Sequence, residues 1–116
     1  MIRTLMTAAM LCAATAGAAD AVELPKGFSY LRDVAPSIVQ DMRYFGNHNF
    51  LGRPVAGYEA NECILTTRAG LRLQKVQQRL EAKGLSLKVY DCYRPKQAVA
   101  DFVAWARDPG DRRTKA

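Results

Sequence analysis

The sequence predicts an α+β fold, with a small mixed or antiparallel sheet and helices packed on it. A segment of alternating apolar residues precedes a long loop, and a segment with helical periodicity follows that loop. A second alternating segment and a second helical segment complete the order strand, loop, helix, strand, helix, which is typical of α+β or α/β layers. Since two or three strands make a poor sheet alone, we expect the domain to be incomplete at its C-terminus.

The first part of the domain is predicted to be extended and irregular. Residues 30–34 fit a short strand or a turn, and residues 38–44 fit a partly buried strand. One face of that strand carries Ile38, Gln40, Met42 and Tyr44. Residues 45–60 are rich in turn formers and aromatic side chains, which predicts a long loop. Such a loop is either functional or a surface loop pinned by its aromatic residues.

The first predicted helix follows the loop. Thr66 or Thr67 is a suitable N-cap, and Gly84 is a suitable residue just beyond the C-terminal end. Steps of four, three and four residues place the apolar side chains on one face. These side chains are Ala69, Leu73, Val76 and Leu80.

A half-buried strand and a second helix are predicted next. In residues 85–89, Leu85, Leu87 and Val89 alternate with polar residues, as in a strand with one buried face. Pro95 fits the first turn of the second helix, which ends near residue 108. The apolar side of this helix is predicted to comprise Ala98, Val99, Phe102, Val103 and Trp105.

The N-terminal residues have the pattern of a signal peptide. A basic start at Arg3 precedes an uncharged apolar run and then small residues on either side of position 19. We therefore expect residues 1–19 to be the signal peptide, residues 20–116 to be the exported domain, and the protein to be periplasmic or secreted. The alternative is a buried N-terminal helix. No apolar stretch approaches the roughly 20 residues that span a bilayer, so we expect no stable membrane insertion after signal removal.

Charge and cysteine content restrict the classes of partner. The formal net charge is +6, but the positive residues are scattered, which favours a solvated basic surface and no nucleic-acid partner. Cys63 and Cys92 remain after export, and the oxidising periplasm favours one disulfide between them. Two buried free thiols are the alternative. Two cysteines alone do not make a structural zinc site, which needs four ligands.

The residues around Arg94 are the most informative local feature. A predicted strand runs into residues 89–93 and a helix starts at Pro95, so Arg94 lies between two rigid elements. A guanidinium there can bind a carboxylate through two parallel hydrogen bonds or stabilise an oxyanion as it forms. The alternative is an ordinary salt bridge to Asp91 or Asp101. The only histidine is His48, and no His-Glu-x-x-His or Gly-x-Ser-x-Gly motif is present.

Read together and in order, four segments carry a family resemblance. They are Asp41-Met42-Arg43-Tyr44, Asn49-Phe50-Leu51-Gly52-Arg53-Pro54-Val55, the helical residues 71–84, and residues 85–95 with Tyr93-Arg94-Pro95. No single motif is decisive, but their order and spacing resemble the N-terminal portion of the D-alanyl-D-alanine dipeptidase family, the zinc D,D-dipeptidases of peptidase family M15.

The resemblance implies a hydrolase of bacterial cell-wall metabolism that acts on D-alanyl-D-alanine or related dipeptides. In that family two histidines and an aspartate hold zinc, a glutamate activates the metal-bound water, and an arginine in the Tyr-Arg-Pro turn stabilises the oxyanion. The arginine's role falls on Arg94. Tyr44, Asn49 and Tyr93 are the residues that the resemblance suggests for the substrate pocket.

The chain departs from the family at the metal site. The family's zinc-ligand motifs come after the segment matched here, and His48 corresponds to none of the ligand positions. We therefore expect this chain alone to bind no catalytic zinc in the family's way and to be inactive by itself, as a fragment or short product. The alternatives are a non-catalytic module that binds a peptidoglycan peptide through Arg94, and a small disulfide-stapled structural domain.

Overall fold

The computed structural model describes residues 22–111, and the predicted signal peptide lies outside them. The elements in chain order are β1 (Phe28–Tyr30), α1 (Leu31–Val34), β2 (Val39–Gln40), β3 (Ile64–Thr66), α2 (Thr67–Glu81), β4 (Lys88–Val89) and α3 (Lys96–Arg107). This arrangement confirms the α+β class. No helix in the described part of the chain is both long enough and apolar enough to cross a membrane.

The strands form two separate two-stranded sheets. β1 and β3 pair antiparallel, with Ser29 opposite Leu65. β2 and β4 pair parallel, with Val39 opposite Lys88, and α2 lies in the crossover between them. The predicted strands at 38–44 and 85–89 are therefore shorter than expected. Backbone contacts nevertheless continue past β2, because the amide of Asp41 donates to the carbonyl of Val89 at 2.9 Å.

The ends of α2 follow local sequence signals. The Thr66 side chain accepts a hydrogen bond from the backbone amide of Ala69, which confirms it as the N-cap. Gly84 has a φ of 70°, in the left-handed region that glycine adopts at little cost. The amide of Leu85 then donates to the carbonyl of Leu80 at 3.0 Å, which closes the end of the helix.

The buried face of α2 differs from the predicted apolar face. Val76 is 43% exposed, whereas Gly70 and Gln77 are buried. Gly70 lies against Val34, and a Cβ at that position would approach the Val34 side chain to 3.4 Å. The prediction that Val76 is buried was wrong. The buried face of α2 is centred on Gly70 and Gln77, and a pattern of apolar residues does not identify a glycine or a glutamine as buried.

Gln77 replaces apolar packing with hydrogen bonds. Its amide nitrogen donates to Ser86 Oγ at 2.9 Å and to the carbonyl of Ser37 at 3.3 Å. Its amide oxygen accepts from the backbone amide of Leu87 at 2.8 Å. This one side chain therefore joins α2 to the segments leading into both strands of the parallel sheet, and its buried polar atoms are satisfied.

Two clusters of buried residues form the core. The first comprises Leu31, Ala35, Ile38, Met42 and Cys63. The second comprises Leu51, Val55 and Ala98, with Tyr44, Tyr58, Phe102 and Trp105 packed against it. The long loop 45–60 thus contributes to the second cluster. On α3, Ala98, Phe102 and Trp105 face that cluster as predicted, but Val99 and Val103 are largely exposed because they lie on the opposite side of the helix.

A disulfide joins the two sheets. Cys63 immediately precedes β3, Cys92 follows β4, and their sulfur atoms are bonded with the Cα atoms 5.3 Å apart. Cys63 is fully buried. Its carbonyl accepts from the amide of Leu31 at 2.9 Å, and its amide donates to the side chain of Gln40 at 2.7 Å. The bridge therefore lies where three strands and α1 meet.

Reducing this disulfide is expected to destabilise the domain. The two cysteines are 29 residues apart, and a loop of that size contributes about 3 kcal/mol through the entropy of the unfolded chain. Urea unfolding of residues 20–116 with and without reductant measures the difference. A Cys63→Ser/Cys92→Ser variant controls for effects of the reductant itself, and an unchanged urea midpoint on reduction would contradict the expectation.

Candidate functional site

The turn that carries Arg94 is fixed at several points. The disulfide holds Cys92, and the backbone amide of Tyr93 donates to the carbonyl of Ile64 at 2.9 Å. Pro95 is buried and forms the N-cap position of α3, with a φ of −65° that suits the start of a helix. The backbone on both sides of Arg94 is therefore constrained by neighbouring elements.

Arg94 forms an ion pair with Asp91. Its Nε and Nη2 atoms donate to Asp91 Oδ2 at 3.1 and 2.7 Å. Of the two salt bridges considered from the sequence, the structure contains the one to Asp91, while Asp101 pairs with Arg53 instead. The Arg94 side chain is still 45% exposed, so the ion pair orients the guanidinium without burying it.

Two aromatic rings lie beneath the guanidinium. The Arg94 Cζ atom is 5.4 Å from the Tyr44 ring centroid and 5.3 Å from that of Phe102, within the range of cation–π attraction. Tyr44 also packs against Phe102 and Tyr58, with ring centroids 5.1 and 5.6 Å away. The structure therefore brings Tyr44 and Arg94 together.

Tyr58 was not singled out from the sequence, yet it belongs to the same group of residues. Its hydroxyl donates to Asp91 Oδ1 at 2.9 Å. Burial, together with this hydrogen bond and the charge of Asp91, raises the pKa of Tyr58 to about 12. The hydrogen bonds that Arg94 donates to Asp91, and the interaction with the Tyr58 hydroxyl, raise the pKa of Arg94 above its ordinary value. Near neutral pH, the site thus contains a cationic arginine and a protonated phenol.

The Asn49 side chain stabilises the conformation of the loop through hydrogen bonds to its backbone. Its side-chain nitrogen donates to the carbonyls of Arg43, Gly46 and Arg53 at 2.8 to 3.0 Å. Its side-chain oxygen accepts from the amide of Leu51 at 2.9 Å. The amide group is therefore directed into the loop, so Asn49 holds the shape of the segment that carries the aromatic residues.

Tyr93 points to a different surface from Tyr44. It is 55% exposed and packs edge-to-face against Phe28, with ring centroids 6.1 Å apart. Together with Leu24, Pro25 and Ile64, these rings line an apolar groove beside the antiparallel sheet. Of the three residues suggested for substrate binding, the structure thus places only Tyr44 against Arg94.

An ion pair fastens the loop 45–60 to α3. Arg53 donates through two nitrogen atoms to the two oxygens of Asp101 at 2.8 and 2.7 Å. Asp101 Oδ2 also accepts from the backbone amide of Ala56 at 2.9 Å. The hydrogen bonds from Arg53 and then Ala56 lower the pKa of Asp101 to about 2. Arg53 and Asp101 are 48 positions apart in the chain, so no local sequence pattern indicates this ion pair.

The described residues do not fit the zinc that the family resemblance implies. Within residues 22–111, no group of three or more histidine, cysteine, aspartate or glutamate side chains is placed to hold a metal ion. Nδ1 of His48 lies 2.7 Å from Nη1 of Arg43, and Cys63 and Cys92 are bonded to each other. This part of the chain thus supplies cationic and aromatic groups, and it does not assemble a metal-ligand set.

Protonating Asp101 is expected to loosen the loop. The folded-state pKa lies below the ordinary value of about 3.9, so the stabilisation is present above pH 4 and is lost as pH falls through about 2. NMR titration of the Asp101 carboxyl carbon measures this pKa directly. In an Arg53→Ala variant the pKa should rise toward the ordinary value, and an unchanged pKa in that variant would show that Arg53 is not its cause.

The chain is similar in sequence to known dipeptidases. Residues 25–116 match the model of the peptidase M15 family, described as D-ala-D-ala dipeptidase. A D-alanyl-D-alanine dipeptidase from Enterococcus faecalis is 39% identical over 92 residues, which cover 79% of this chain and 46% of that relative. Another from Streptomyces coelicolor is 38% identical over 89 residues, covering 77% of this chain and 44% of the relative.

A third relative, the D-alanyl-D-alanine dipeptidase from Enterococcus faecium, is 36% identical over 89 residues, covering 77% of this chain and 44% of the relative. The chain thus spans less than half the length of the curated relatives it matches. The family match nevertheless extends over most of the chain, including the Arg94 turn and the loop beneath it. The chain therefore belongs to the peptidase M15 family of D-ala-D-ala dipeptidases.

Proposed function

We propose that this chain provides the arginine-bearing wall of a site that hydrolyses D-alanyl-D-alanine or a related dipeptide of the bacterial cell wall. The observation that carries the proposal is the position of Arg94, oriented by Asp91 and half exposed above Tyr44 and Phe102. Family membership and the names of the relatives support the substrate class. Because the chain matches less than half of each relative, the activity is proposed for a polypeptide of the relatives' length.

Arg94 suits the stabilisation of charge that develops during hydrolysis. Its guanidinium remains cationic at neutral pH, and Asp91 and the aromatic rings fix its direction before substrate arrives. A preorganised cation lowers the energy of an oxyanion more than that of a neutral carbonyl, so it lowers the barrier selectively. The Tyr44 ring forms the adjacent apolar surface, which suits a small alanyl side chain.

In the proposed complete site, zinc is held by residues other than 22–111, since the described residues contain no suitable ligand group. Bound zinc supplies an activated water and polarises the carbonyl in peptidases. The contribution of these residues is to orient the dipeptide and to stabilise negative charge through Arg94.

A chimera tests the role of Arg94 in catalysis. Residues 22–111 replace the matched stretch of the Enterococcus faecalis relative, and release of D-alanine from D-alanyl-D-alanine is measured. The chimera should be active, and Arg94→Ala should lower kcat by roughly 100- to 1000-fold, the usual effect of removing one oxyanion donor. The metal content of the protein should not change.

Arg79→Ala is the matched control, because Arg79 is exposed on α2 and removal of its charge should leave kcat unchanged. Circular dichroism and metal analysis separate misfolding from loss of chemistry. A folded, metal-loaded chimera with native residues but no activity would contradict the proposed function. Unchanged kcat/KM in Arg94→Ala would show that Arg94 serves only the fold.

We also propose that the protein acts in the periplasm or outside the cell. The basic, apolar and small-residue pattern of residues 1–19 and the disulfide between Cys63 and Cys92 support this location. Expression of the full chain in a Gram-negative host should yield a periplasmic product whose mass corresponds to loss of residues 1–19. Retention of the full-length mass in the cytoplasmic fraction would contradict export.

A further inference from the structure

Arg94, Asp91 and Tyr58 form a hydrogen-bonded network that links the turn at residues 91–94 to the long loop 45–60. Asp91 Oδ2 accepts both hydrogen bonds from Arg94, whereas Oδ1 accepts from the Tyr58 hydroxyl at 2.9 Å and from the Cys92 amide at 3.0 Å. Both oxygens of the carboxylate are therefore engaged, each by different partners. This arrangement fixes the plane of the carboxylate and, through it, the direction of the Arg94 guanidinium.

Tyr58 connects this network to the long loop. It lies 33 residues before Asp91, and its ring packs against that of Tyr44 in the second core cluster. The Tyr58 hydroxyl also interacts with Arg94 itself and contributes to the raised pKa of the guanidinium. Because a phenol can donate one hydrogen bond and accept another, a single hydroxyl can serve Asp91 and Arg94 together.

We propose that Tyr58 and Asp91 are positioning residues that hold the Arg94 guanidinium in the orientation needed to meet the developing oxyanion. The catalytic part of this inference rests on the proposed function. The orientation of the Arg94 guanidinium by Tyr58 and Asp91 does not depend on that function. Neither residue contacts the substrate in this role. Asp91 acts on the reaction through Arg94, and Tyr58 acts through Asp91 and through its own interaction with Arg94.

A wholly structural role for Tyr58 would give a different pattern of effects. The Tyr58 ring is part of the second core cluster, and Tyr58→Phe keeps that ring while removing only the hydroxyl. Tyr30→Phe is a matched control, because the Tyr30 hydroxyl also makes one hydrogen bond, to the carbonyl of Val22 at 2.9 Å, and contacts neither Asp91 nor Arg94. Both variants lose one phenol hydroxyl that donates to an oxygen atom, but only Tyr58→Phe removes a contact with the Asp91 and Arg94 side chains.

The orientation of Arg94 can be measured on the full chain by NMR. Exchange of the Arg94 Nε proton with solvent, assigned with an Arg94→Lys variant, reports the hydrogen bond to Asp91 directly. Tyr58→Phe should accelerate this exchange about fivefold, the effect of weakening one net hydrogen bond, and Asp91→Asn should accelerate it further. Tyr30→Phe should leave it unchanged. Unchanged exchange in Tyr58→Phe and in Asp91→Asn would overturn the positioning role.

Kinetics of the chimera test the catalytic meaning of the network. Tyr58→Phe should lower kcat and kcat/KM by a similar factor, about tenfold, because an orientation needed only in the transition state is lost. Asp91→Glu, which keeps the carboxylate, should retain more activity than Asp91→Ala. A rise in KM alone, or unchanged kinetics in an active chimera, would overturn the inference. If the chimera with native residues is inactive, the proposed function fails, and the NMR result still decides whether the network positions Arg94.

Discussion

The disulfide between Cys63 and Cys92 is the constraint on which the rest of the domain depends. Each sheet has only two strands, too few to be stable alone, and the bridge fastens the start of β3 to the residues after β4. The amide of Tyr93 reinforces this junction by donating to the carbonyl of Ile64. The cross-link thereby fixes the fold and, in the same turn, the backbone that carries Arg94.

The long loop contributes to the core as well as to the candidate site. Arg53 and the Ala56 amide bind Asp101, which draws the loop onto α3, while Asn49 holds its internal shape. These polar contacts allow loop residues to pack in the second core cluster, whose aromatic side chains include Tyr44 and Tyr58. Loop residues usually vary and move. Here the ion pair and the aromatic packing give this loop the order that a binding surface needs.

Local signals in the sequence predicted the ends of α2 correctly, but the strand or turn predicted at residues 30–34 was wrong, because Leu31–Val34 forms the short helix α1. Long-range contacts account for the other failures. Thr66 and Gly84 mark the ends of α2 because capping depends on neighbouring residues. The buried Gln77 was missed because its partners lie across the domain and replace apolar packing with hydrogen bonds. The sequence singled out Arg94 and left its partner open between Asp91 and Asp101. Asp91 is the partner because Asp101 is already paired with Arg53, which lies 48 positions away from it in the chain.

The ion pair that orients Arg94 also limits what the arginine can bind. A guanidinium has five N–H donors, and Asp91 engages those on Nε and Nη2. Because Asp91 partly neutralises the Arg94 guanidinium, a substrate carboxylate is attracted to Arg94 less strongly than to an unpaired arginine. An oxyanion that forms within reach gains charge only in the transition state, where the remaining donors are already aligned. The same partial neutralisation weakens the attraction of Arg94 for a ground-state carboxylate and for an oxyanion. The advantage that the pairing gives the proposed catalytic role is therefore the prior alignment of the remaining donors, which removes the cost of reorienting the guanidinium as charge develops.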